Sequence, residues 1–236
     1  MFGYFEYLIF MLPALLLGLW AQLLVKSRFK RFSKMASQKG ITGAEAARAV
    51  LNAGGVYNVP VGRVSGHLSD HYNPKTNSIS LSDSVYGSTS VASIGVAAHE
   101  AGHALQYAQN YAPIRLRMAI IPYCNLGSML GPILIVLGFI ISYAAGEASL
   151  ALGQTLYFSG LILFSGVALF QVVTLPVELD ASKRALRALE GGNILRGEEL
   201  KGAKKVLTAA ALTYIAALIT SIMQILYYAS RFRPRD

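Results

Sequence analysis

Four stretches of this chain contain no Lys, Arg or Asp, and only one Glu between them; they decide what it can fold into. The first, 4–25, is apolar but for Glu6 and Gln22, and 118–145, 150–177 and 206–229 carry no charge at all. Built as helices at about 1.5 Å per residue, even the shortest is about 33 Å long, enough to cross a hydrocarbon core of about 30 Å. A soluble domain would have to bury all four as core helices. A chain of 236 residues cannot cover that much apolar surface, and the mean hydropathy of +0.46 agrees. The expected fold is mainly α, a polytopic helical membrane protein with about four transmembrane helices over those ranges.

The charges left over assign sides. Of the 21 Lys and Arg, eleven fall within 26–117 and seven within 183–205, both segments flanking apolar runs. The positive-inside rule therefore puts both in the cytoplasm, and the N-terminus and the loop at Gly146-Glu147 outside. Four spans then leave the tail from Arg231 to Arg235 outside too, three basic residues against eighteen. This distribution explains the formal net charge of +9 without a nucleic-acid partner, and the basic run at 26–34 is expected to meet lipid headgroups. The first run is expected to stay as an anchor: it lacks a basic n-region, and basic residues follow it where a cleavage site would stand. Cys124, the sole cysteine, lies in an apolar run, which excludes a disulfide framework and gives a cysteine-based metal site no support. An ion or solute transporter has little support either, because the spans hold almost no intramembrane charge.

Between the first two runs lies a different kind of sequence. Thr42-Gly43-Ala44-Glu45 is a capping box that opens a short helix, closed by Gly54-Gly55. Residues 56–68, rich in Val, Tyr and Gly around Pro60, read as extended chain with at most an edge strand. A turn at 73–77 leads into 78–82, whose alternation of Ser with Ile79 and Leu81 reads as a half-buried strand, so a short β-hairpin is expected. That strand is a candidate edge for holding an extended peptide. A helix follows from about Ser90 to Asn110, limited by Pro113.

This helix carries His99-Glu100-Ala101-Gly102-His103. Residues four apart share a helix face, so the two imidazoles can converge on one metal ion, while Glu100, one step round, reaches a water there. Two histidines and a glutamate at this spacing suit zinc-dependent peptide hydrolysis. Gly102 costs a helix about 1 kcal/mol relative to Ala, so a close neighbour is expected against it. A catalytic zinc site takes three protein ligands. The residues after His103, Ala104 to Gln109, exclude a third histidine at the metzincin spacing, which leaves a distant carboxylate. Leu175-Pro176-Val177-Glu178-Leu179-Asp180-Ala181-Ser182 stands where the third span should emerge on the side of the motif helix. Glu178 is favoured as the third ligand, with Asp180 as the alternative.

These residues resemble the YugP-like membrane zinc metallopeptidases. The resemblance rests on Leu68-Ser69-Asp70-His71-Tyr72-Asn73-Pro74, Leu81-Ser82, Val85-Tyr86, the run from Val96 to Gln106, that from Leu175 to Ser182, and Ala210-Ala211-Leu212-Thr213-Tyr214. It implies a multi-pass bacterial cell-membrane peptidase of gluzincin type, distantly similar to HtpX and the CAAX prenyl protease. Its small cytoplasmic, zincin-like α+β catalytic portion would occupy 26–117, and Glu178, in a cytoplasmic segment at 178–205, would complete the metal site. In such relatives a Glu-x-x-x-Asp pattern orients a ligand histidine; here Ser182 stands at the Asp position, so that role is expected to pass to Asp180.

His67 and His71 are also four apart, but Gly66 and Asn73-Pro74 argue against a helix, so local backbone capping is expected of them. The alternative is that His71 or Tyr72 hydrogen-bonds an oxyanion at the metal. The expected protein is thus a zinc endopeptidase with one Zn2+ per chain on His99, His103 and Glu178, and Glu100 as general base. Its substrates would be membrane-associated proteins or peptides; a homo-oligomer or membrane partner stays open. The alternative is a membrane scaffold or regulatory subunit that keeps the metal without proteolysis.

Overall fold

The computed structural model describes residues 2–66, 69–144 and 147–231. The expectations for His67, for the outer loop at Gly146 and for the tail beyond Arg231 lie outside the described residues. Among the described residues, seven helices and three strands follow one another: α1 (Phe2–Phe32), α2 (Gly43–Ala53), β1 (Val61–Val64), β2 (His71–Asn73), β3 (Ser78–Ser82), α3 (Asp83–Tyr86), α4 (Val91–Ala108), α5 (Ala112–Ala144), α6 (Glu147–Gly191) and α7 (Gly197–Arg231). Four of them, α1, α5, α6 and α7, are long and apolar enough to cross a membrane, as the uncharged runs require. The chain forms two compact units, one from residues within 1–19, 116–174 and 214–236, the other from 20–115 and 175–213.

Among the described residues, the first unit contains only helices. Leucines such as Leu12, Leu15, Leu16 and Leu19 on α1 and Leu152 and Leu169 on α6 stay exposed, a surface suited to hydrocarbon rather than water. Here α5 and α6 approach through glycine. A Cβ on Gly131 would stand 3.0 Å from the Phe164 nitrogen, and one on Gly138 would collide with the backbone at Tyr157. Small residues allow such contact where no hydrophobic effect drives helices together. Tyr157, 1% exposed, donates its hydroxyl proton to the Tyr228 carbonyl at 2.6 Å. Glu6 of α1 and Arg231 of α7 form an ion pair.

The second unit holds the larger core, in which Val50 and Leu51 of α2, Ile79 and Leu81 of β3 and Ile94 of α4 are fully buried. The capping box at Thr42 and Glu45 forms as its sequence predicts. The strands make one sheet in the order β1-β3-β2, β1 parallel to β3 (Val61↔Ile79) and β2 antiparallel to it (His71↔Ser80), the turn between them closing the expected hairpin. This corrects the expectation that 78–82 offers a free edge. With Ile79 and Leu81 both buried, β3 takes the centre and is paired on both sides; the edges belong to β1 and β2. Asp70 pins the hairpin, accepting from the Ser82 N–H at 2.7 Å and the Ser82 hydroxyl at 3.0 Å.

Helix α4 starts on a Ser90 cap that accepts from the Ser93 N–H. It ends before Asn110, which takes a left-handed φ of 53°. Pro113 lies in the first turn of α5, where a missing N–H costs nothing, so it starts the next helix instead of stopping this one. Helix α6 does not stop where its apolar run does. It continues through Pro176 to Gly191, 45 residues in all, and α7 begins six residues later at Gly197.

Candidate metal centre

Helices α4 and α6 cross at Gly102. A Cβ there would stand 2.5 Å from the Ala181 carbonyl oxygen, so at this position only glycine lets the helices meet as they do. The crossing lays the His99–His103 face of α4 against the turn of α6 that carries Glu178. The Nε2 atoms of His99 and His103 lie 3.2 and 3.5 Å from Glu178 Oε2, and the three donor atoms all fall within 4.8 Å of one another. Ligands held at about 2.0–2.1 Å in a tetrahedron sit about 3.3 Å apart, so the donor set fits a zinc ion in both chemistry and spacing. The side chains are 15%, 11% and 5% exposed, respectively, which leaves the centre largely shielded from water.

Each histidine is held from behind. Ser182 Oγ lies 3.1 Å from His99 Nδ1. Gln106 Oε1 lies 3.0 Å from His103 Nδ1. The fully buried Gln106 donates from Nε2 to the Val177 carbonyl at 2.8 Å and to Asp180 Oδ2 at 2.9 Å. Two acceptors on its nitrogen fix which way the amide points, so its oxygen accepts the His103 Nδ1 proton and the Nε2 lone pair faces the centre. Asp180 is held in turn by Arg184, whose guanidinium reaches on to Gln109 and lies 5.4 Å from the Tyr111 ring centroid. The orienting contact on His99 thus comes from Ser182 itself, and Asp180 acts through Gln106 on the other histidine. Two residues separate Asp180 from Glu178, about 200° around a helix, and its carboxylate turns to Gln106 and Arg184 instead of to the metal cluster.

Glu100, 9% exposed, accepts the Tyr72 backbone N–H at 2.9 Å on Oε2. The side chains of the hairpin go elsewhere. The Tyr72 hydroxyl donates to Asn77 Oδ1 at 2.8 Å, and its ring leans on Tyr107 with centroids 5.5 Å apart. Burial, aided by Tyr107, pushes the Tyr72 phenol above its ordinary pKa. His71 is exposed, with Nδ1 2.8 Å from the Ser69 carbonyl, a local backbone contact. What β2 brings to Glu100 is main chain.

Burial by itself would lower the pKa of His103; the bond to Glu178 and the charges of Glu100 and Glu178 outweigh it, so the imidazole titrates above its ordinary range. Sequence reasoning missed Gln106, although it follows His103 by three residues and so shares its helix face. It also discounted Ser182, because a hydroxyl does not look like a substitute for a carboxylate. The Tyr72 N–H had no side-chain signal.

A family model described as "Putative neutral zinc metallopeptidase" matches residues 7–233. A curated relative, "Putative membrane protease YugP" of Bacillus subtilis (strain 168), is 41% identical over 221 residues, which is 94% of each chain. No solved structure matches.

Proposed function

The chain belongs to this neutral zinc metallopeptidase family, and on that premise we propose that it is a membrane endopeptidase of gluzincin type. His99, His103 and Glu178 would hold the zinc and Glu100 would move the protons. The observation that carries this reading is the convergence of two Nε2 atoms on Glu178 Oε2, with Glu100 one step round the same helix and its charge acting on His103.

Zinc held by these three side chains supplies Lewis acidity, polarising the scissile carbonyl and making water a stronger acid. The chain supplies the rest. Glu100 takes the proton of the attacking water and passes it to the leaving amine. The Tyr72 N–H on one carboxylate oxygen fixes the direction of the other. In a strand, the N–H and C=O of one residue point the same way; since the Tyr72 N–H points at Glu100, its carbonyl also faces away from β3. With the Tyr72 N–H engaged by Glu100, the Tyr72 carbonyl is the main-chain group of this edge that an extended substrate would meet beside the base. The charge distribution supports a centre facing the cytoplasm, the Bacillus subtilis relative supports a bacterial cell membrane, and the membrane-length helices of the chain support substrates in or near the bilayer.

Glu100→Gln tests the reading. The variant should bind one zinc per chain and lose cleavage of an unfolded membrane-protein substrate. Full cleavage would sink the mechanism. Zinc binding with no cleavage even by the unaltered protein would favour the non-proteolytic scaffold.

A further inference from the structure

We propose that the groove between the end of α6 and the start of α7 binds one anionic phospholipid, with the phosphate on Lys183, Arg187 and Lys204 and an acyl chain along Leu179 and Leu207. The groove encloses about 560 Å³ within the second unit, in the size range of small-molecule sites. Its lining is amphipathic. Where α6 enters this unit and α7 leaves it, next to the uncharged runs, the walls are Leu179, Leu207 and Ala211 with no charge; further along come Lys183, Arg187, Lys201 and Lys204, with Leu186 and Leu200 among them and Glu190 as the only acid of the lining. A phospholipid likewise carries its charge at one end only.

The cations are exposed and stand open to an anion. Lys201 is engaged by Glu198 at 2.7 Å. Among the described residues, Lys183, Arg187 and Lys204 make no ion pair, although they stand on facing helix walls where like charges repel. Position supports the same occupant. Lys204 lies two residues before the uncharged run of α7 and Lys183 six residues past that of α6, about 3 Å and about 9 Å along the helices, at headgroup depth. Leu179, 47% exposed, extends the apolar wall toward the bilayer. A soluble acidic peptide would match the cations and leave the exposed Leu179 unmatched.

The test uses the full chain in detergent micelles, titrated with phosphatidylglycerol or with phosphatidylcholine of identical acyl chains and read by native mass spectrometry. Phosphatidylglycerol should bind at one site, roughly tenfold tighter than phosphatidylcholine. Lys183→Gln/Arg187→Gln/Lys204→Gln should abolish that preference while keeping its helical circular dichroism and its zinc. Lys39→Gln/Arg63→Gln/Lys75→Gln removes the same charge from exposed positions elsewhere in the second unit and should keep the preference; if it loses as much, the attraction is diffuse and the site does not exist. Equal binding of the two lipids would overturn the proposal. So would saturation of the site by glycerol phosphate or by an acidic peptide at the lipid's concentration.

Discussion

Two of the helix contacts that glycine permits in this protein serve different ends. In the first unit α5 and α6 meet at Gly131 and Gly138, and the contact buries Ile135, Tyr157 and Phe164 around one hydroxyl bond. In the second, α4 and α6 meet at Gly102, and the contact buries two imidazoles, a carboxylate and an amide. Close approach is the same device in both. The apolar crossing can relax by tenths of an ångström and lose only packing, whereas the polar one holds donor atoms at separations set by a metal's size. Tolerance to displacement is what separates a structural crossing from a site.

Substituting the glycines tests that difference most severely. Gly102→Val, placing side-chain atoms on the Ala181 carbonyl, should part α4 from α6 and remove zinc binding and cleavage together. Gly138→Ala should lower the melting temperature yet leave about one zinc per chain by atomic absorption. If Gly138→Ala lost its zinc as readily, the contrast between the crossings would be false. A smaller effect is expected of Gln106→Leu, which removes the hold on His103 without touching a donor atom. Zinc affinity in a competitive chelator titration should fall by about 10–100-fold, and Gln106→Glu, whose oxygen still accepts from Nδ1, should recover part of it.

The smallest expected effect is one of pH. Because His103 titrates above its ordinary value of about 6.5, its protonation stabilises the metal-free fold below that value, and the contribution fades as the pH rises through the raised pKa. Zinc needs the neutral ring, so it gains over the same interval. As the pH rises from about 6.5 through the raised pKa, the melting temperature of chelator-treated protein should fall and the increment given by zinc should grow. Both trends should flatten in His103→Ala; Gly138→Ala should keep them.

The two regions were also unequally legible. Membrane-length helices announce themselves by length and lack of charge, and the capping box at Thr42 and the i, i+4 histidines by local spacing, so these features follow from near neighbours in sequence. The free edge assigned to 78–82 failed because strand order is a long-range property: alternation shows which face of β3 is buried and is silent on how many partners it has. The course of α6 past Val177 was hidden for a related reason. Its apolar signal ends there, while Val177, Ala181, Ala185 and Leu189 continue a narrower buried stripe that becomes readable once a facing helix is known. Gln106 and Ser182 draw their roles from partners 71 to 83 residues away.

The bond between the Tyr72 N–H and Glu100 has a consequence for heredity. The donor is an atom that every amino acid except proline possesses, so a codon change at position 72 can alter ring, charge or size and still deliver the same proton to the same oxygen. A saturation library at this position should therefore show one steep minimum, at proline, over a shallow background. The grip on the base is inherited through the path of the strand, and a comparison of side chains would pass over it.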